Sequence, residues 1–172
     1  NIPLAGALVR DCPQVEAAAR IEPDEIVVRR PDPRRKGADA VSLPGELIPE
    51  KHFVYSEQAV FYLFYFSFLK GSAATALTEP YSMVLTESAA RKYFGSGPVM
   101  GRTLVCDKHI FHVTGVIADR PANSDVKIDA LLWKNFQATT NWMQDDFEVY
   151  TYVLFRGRPD IPALRRQLDV IS

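Results

Sequence analysis

A thiol, a carboxylate and two imidazoles fall close together at Cys106, Asp107, His109 and His112 in the run CDKHIFH, the one cluster in the chain suggestive of catalysis or metal binding. Such groups can hold zinc or copper if they converge on one point. The spacing predicts that they do not. Asp107-Lys108 reads as a hairpin turn, so side chains on the outgoing strand alternate and His109 and His112 face opposite sides. The expectation is two partly exposed histidines, a small buried thiol, no metal and no cofactor. A serine hydrolase would need a GxSxG elbow, which the sequence lacks. Ser96-Gly97-Pro98 has neither the glycine spacing nor the following Lys-Ser/Thr of a phosphate loop. No catalytic residue is assigned, and ATP hydrolysis would have to reside on another chain or domain.

The aromatic run VFYLFYFSFL at 60–69 is the other candidate. Alternating aromatics at this density predict a buried strand. The competing reading is an exposed patch for a partner protein or substrate, contacted through Phe61, Tyr62, Phe64 and Tyr65. At ten residues the run is about half the ~20 needed to span a bilayer.

These groups must be positioned by a strand, helix and hairpin. Residues 81–85 (YSMVL) predict a short apolar strand, and Thr86 offers a hydroxyl cap to a helix over 87–94. Glu87 in its first turn and Arg91 and Lys92 near its end suit the helix dipole, and Gly95 can close it in the left-handed region. Strands over 102–106 and 109–118 complete the hairpin, with Gly115 placed where another backbone could approach closely.

At the N-terminal end, residues 3–10 predict a short helix, Val15, Ala17, Ala19 and Ile21 alternate as a half-buried strand, and 25–30 reads as a second strand. The C-terminal end reads as a strand over 149–155, then a helix capped by Asp160 with Leu164, Leu168 and Ile171 on one face. Both ends are thus strand and helix material that should meet in one small lobe, with the middle of the chain inserted as a second. Residues 29–36 (RRPDPRRK) form a basic, proline-broken loop, read as a solvated connection or as a contact for anionic lipid or an acidic partner.

The whole composition suits a folded protein. The 172 residues are 47% hydrophobic and 24% charged, and a chain of this length buries roughly 70% of its unfolded surface without staples. A net charge of -1 argues against nucleic-acid binding. Cys12 and Cys106 could pair in an oxidising space, but two free buried thiols is the favoured reading.

Five stretches then stand in register with one family. EPYSMVLTESAARKYFG (79–95), PVMGRTL (98–104), FHVTGVIADRPANSD (111–125), the flanking PLAGALVRDCPQVEAAARI (3–21) and YTYVLFRGRPDIPALRRQL (150–168) resemble the extracytoplasmic core domain of MacB/FtsX-like ABC transporter permeases. FYLFYFSFLKG (61–71) is similar to the family's Phe-rich stretch. Asn123-Ser124-Asp125 departs from the Asn-Ser-His often found there, so no histidine role carries over.

The resemblance implies an α+β fold in two lobes: a membrane-proximal, porter-like lobe from 1–55 plus 145–172, and an inserted, sabre-like mixed α/β lobe from 56–144. It implies a non-catalytic periplasmic domain of a bacterial inner-membrane permease, with membrane helices attached at both ends. Such a domain couples cytoplasmic ATP hydrolysis to export or mechanical signalling. The implied partners are a cytoplasmic ABC ATPase subunit, a second permease copy, and a periplasmic protein or lipoprotein; the isolated domain is expected to be monomeric. Two rivals are a stand-alone periplasmic lipid- or lipoprotein-binding or adaptor domain, and a metal-dependent enzyme built on CDKHIFH.

Overall fold

The computed structural model describes residues 4–29, 47–121, 123–124, 126–136 and 148–171. Most of the basic loop at 29–36, Asp125 and the expected lobe boundary at 144/145 lie outside the described residues.

Helix α1 (Leu4–Asp11) leads into strand β1 (Val15–Pro23), followed by β2 (Ile26–Arg29), β3 (Ile48–Glu50) and β4 (Phe53–Ser56). A single-turn helix α2 (Val60–Leu63) precedes β5 (Phe68–Lys70), then β6 (Ser82–Thr86), α3 (Glu87–Phe94), β7 (Thr103–Cys106) and β8 (His109–Ile117). Strand β9 (Ala130–Trp133), β10 (Tyr150–Phe155) and α4 (Ile161–Ile171) complete the chain. Among the described residues all ten strands join one mixed sheet in the order β10-β1-β4-β9-β6-β8-β7-β2-β3, with β5 attached to β8. The fold is therefore α+β, as expected. The pairs β4–β9 and β6–β8 run parallel and the remainder antiparallel.

Local chemistry accounts for the helix ends. The Thr86 hydroxyl accepts the Ala89 N–H at 3.2 Å, and the Asp160 carboxylate accepts the Ala163 N–H at 3.0 Å, each satisfying an orphan donor of a first turn. Gly95 closes α3 at φ 66°, its N–H donating to the Arg91 carbonyl. Asp107 takes φ 55° in the β7–β8 turn, a conformation its short polar side chain tolerates.

Alternation along the strands divides the core. Phe53, Met83, Leu85, Ala130 and Leu132 face one side with α3, while Val54, Val84 and Leu131 face the other with the aromatic run. A third cluster joins Leu8 and Cys12 to Val15, Val153, Phe155, Leu164 and Leu168, so both terminal helices pack together on the β1–β10 ribbon.

One expectation is corrected. The run at 60–69 is not one buried strand: it turns through α2, runs irregularly, and becomes β5 only at Phe68. Rings three residues apart face the same way across that turn, Phe61 with Phe64 inward and Tyr62 with Tyr65 outward, which a period-two strand cannot achieve. At Gly115 a Cβ would stand 2.9 Å from the Phe68 ring, and the backbone that comes close is that of Gly71, whose Cβ would lie 3.1 Å from the Gly115 Cα and 2.5 Å from the Thr114 carbonyl oxygen.

Candidate functional site

The aromatic run forms a knuckle on the sheet face opposite the helices. Backbone turns from Glu57 to Val60 and from Ala59 to Tyr62 start it, and Gln58 ties it down by donating to the Ala73 carbonyl and accepting the Leu77 N–H at 2.9 Å. Phe61 meets Phe66 edge-on at 5.4 Å and Phe68 at 5.3 Å, and Phe64 meets Tyr152 of β10 at 5.0 Å. Such edge-to-face pairs are favoured geometries for ring quadrupoles. The Arg120 guanidinium caps Phe66 at 5.2 Å from its centroid.

Of the four residues singled out in the sequence, Phe61 and Phe64 turn into this ring cluster. Tyr62 and Tyr65 point out, 75% and 91% exposed. The knuckle can therefore offer two phenol rings to something outside the chain.

The CDKHIFH cluster is dispersed. Cys106 is fully buried in the core, and that burial, more than the neighbouring Asp107 and Glu50 carboxylates, pushes its thiol pKa well up. His109 is exposed and stacks on Tyr81 at 5.4 Å, while His112 occupies the alternate face of β8 and is half-buried. Asp107 is engaged by the Tyr55 hydroxyl at 3.0 Å and the Val27 N–H at 3.0 Å. Among the described residues no three His, Cys, Asp or Glu side chains converge as a metal site. Cys12 and Cys106 are free thiols in different clusters.

Sequence reasoning missed a cleft of about 330 Å³ at the start of α3, lined by His52, Ser88, Asp119, Lys127 and Asp129. Its residues come from four separate segments, and no local motif joins them. Asp119 accepts the Ser88 hydroxyl at 2.6 Å and the Ser88 N–H at 3.0 Å, and these bonds hold its carboxyl below the usual range. His52 bonds Asp129 at 3.2 Å instead of serving Ser88. The Ser88 hydroxyl is thus directed at a carboxylate, which cannot activate it in the manner of a serine–histidine couple.

The deciding observation is a match along the whole fold. The model of the family described as the MacB-like periplasmic core domain covers residues 1–171. The chain belongs to this family. Solved structures agree at the level of fold. A domain described as belonging to a permease protein of Porphyromonas gingivalis is similar at TM-score 0.74 and 22% identity, over 98% of this chain and 74% of that one. The periplasmic region of MacB from Actinobacillus actinomycetemcomitans is similar at TM-score 0.62 and 13% identity, over 97% and 70%. The extracellular domain of the noncanonic ABC-type transporter YknZ from Gram-positive bacteria gives 0.56 and 11%, over 94% and 74%. No curated protein matches the sequence.

This MacB-like domain therefore lies on the extracytoplasmic side of the membrane, and its family consists of periplasmic domains of transporter permeases. MacB-like permeases in general work with ABC ATPase partners. Among the described residues no helix is long and apolar enough to cross a membrane.

Proposed function

We propose that this domain is a non-catalytic mechanical element of an ABC permease, turning cytoplasmic ATP hydrolysis into export or signalling outside the membrane. The observation that carries the reading is the joint packing of α1 and α4 through Leu8, Leu164 and Leu168 against Val153 and Phe155. Helices at the two ends of the chain share one rigid footing, so a push through attached membrane helices would enter the sheet at one place. The cytoplasmic ATPase and a second permease copy supply that push. The membrane-proximal lobe, expected from 1–55 plus 145–172, is then centred on α1, β1, β10 and α4, with the distal lobe beyond it. Strands β2 and β3, although early in sequence, stand at the far end of the sheet beside β7.

The knuckle is the proposed contact surface for a periplasmic partner protein, a lipoprotein or the cargo itself, through Tyr62 and Tyr65, with Phe61 and Phe64 holding it in shape. Hydroxyl-tipped rings with exposed faces suit such contacts, since they bury large area at low conformational cost.

The test is made in the complete transporter. A spin label at Lys108→Cys, an exposed turn position, reports the separation of the two domain copies with and without trapped ATP. A change of more than about 5 Å is expected for a rigid-body switch, and an unchanged separation overturns the mechanical reading. Tyr62→Ala with Tyr65→Ala should leave the melting temperature of the domain within about 2 °C, as expected for exposed side chains. The same pair should weaken ATP-driven activity of the transporter; unaltered activity removes the knuckle as the contact.

A further inference from the structure

The sheet is continuous, but its joints are unequal. Strand β1 pairs with β10 from Val15 to Ile21, yet it meets β4 only at Ile21, Glu22 and Pro23. Pro23 has no N–H to give to that ladder. Through this narrow seam the terminal ribbon, with α1 and α4 on it, joins everything else in the sheet.

Charged side chains take over where the ladder is short. Arg20, with only 6% of its side chain exposed, donates from Nε and Nη2 to both oxygens of Glu57 at 2.7 and 2.6 Å, and its N–H donates to the same carboxylate at 3.1 Å. The Ser56 hydroxyl donates back to the Arg20 carbonyl at 2.8 Å. Glu22, 2% exposed, receives Lys134 on both oxygens at 2.6 and 2.5 Å. Between the pairs lies the buried Phe136 ring, 4.9 Å from the Arg20 guanidinium and 5.6 Å from the Lys134 ammonium. Lys134 also lies 5.3 Å from the Tyr55 ring, whose hydroxyl bonds Asp107 in the β7–β8 turn.

The Arg20–Glu57, Ser56–Arg20 and Glu22–Lys134 bonds each cross from β1 to the far side of the seam. By register, Glu22 opposes Tyr55, so the strip sits on the helix-covered face, between the α1–α4 patch and the α3 patch. The other face of the seam is packed by Ala19 and Ile21 against Val54 and Val60; apolar contacts of that kind tolerate sliding, whereas the buried, bidentate charges on this face have a single register or are open to water.

We propose that Arg20–Glu57 and Glu22–Lys134 form a clasp that sets the angle between the terminal ribbon and the rest of the sheet, and that the domain yields at this seam first. The inference rests on the mechanical reading above, but it concerns this chain alone and is tested without the transporter.

Amide exchange of the chain, read by segment, is the measurement. Lys134→Met leaves Glu22 buried without its cation, a strain that opening the seam relieves by hydrating the carboxylate. Exchange in β1 and β10 should then quicken by about tenfold or more, while β6 and β8 keep wild-type rates, as expected of a sub-global opening. Glu22→Leu combined with Lys134→Met removes both charges and should return β1 and β10 toward wild-type protection. Should Lys134→Met not fold, Arg20→Lys keeps the charge but loses the fork, and the same segment-limited quickening is expected. Equal quickening in all strands, or none, overturns the clasp. If the clasp holds while the spin-label separation in the transporter stays fixed, only the mechanical reading fails.

Discussion

Cys106 ends β7 with its side chain wholly inside the core, and burial, followed by the Asp107 and Glu50 carboxylates, raises its pKa. The folded chain therefore keeps its thiol proton while the unfolded chain begins to release it near the ordinary value of 9.0. Above that point the unfolded state binds fewer protons than the folded state, so stability falls as pH rises. Between pH 7 and 9.5 the loss from this thiol should be about 1 kcal/mol. Denaturant titrations of wild type and Cys106→Ala at both pH values measure it. Identical pH slopes in the two proteins would contradict the account. Burial of this residue and the opposed histidines were legible from the two-residue turn that follows Cys106, because alternation in a tight hairpin leaves no freedom. The stacking of His109 on Tyr81 was not, since it depends on Tyr81 adopting φ 59° at the entrance to a strand distant in sequence.

Capped elements were readable and the knuckle was not, for a physical reason. Thr86, Asp160 and Gly95 act on backbone groups within four residues, so their chemistry is written locally. The course of 60–69 is decided elsewhere: by Gln58 bonding Ala73 and Leu77, by Tyr152 receiving Phe64, and by β5 reaching β8. At the end of β5 the chain turns at Gly71 with φ 75°, where an added Cβ would stand 2.5 Å from the Thr114 carbonyl oxygen. A methyl there meets backbone that cannot swing aside, in a conformation that already disfavours a side chain. Gly71→Ala should cost about 2–3 kcal/mol, seen as a lowered urea midpoint at constant m-value. A cost below about 0.5 kcal/mol, the range of a neutral surface change, would mean that the turn has room to relax and does not pin the knuckle.

At the scale of the molecule, the meeting of the two ends was legible because apolar periodicity marked both terminal helices, and Leu8, Leu164 and Leu168 do share a cluster. The single sheet was not legible. Pairings such as β4 with β9 and β2 with β7 join distant segments whose own patterns say only that each is a strand. That topology has an energetic consequence. Leu8 belongs to the terminal cluster, and Leu104 to the cluster under α3, with no shared core residue between them. Each substitution by alanine should cost about 2–5 kcal/mol, from lost transfer energy and a residual cavity. Because the charged strip and the seam separate the two sites, the costs should add to within about 0.5 kcal/mol in the double variant. Guanidinium unfolding of the four proteins closes the cycle. A coupling above about 1 kcal/mol would show that strain passes through the seam in the folded state, and that the terminal ribbon and the distal sheet pack as one body.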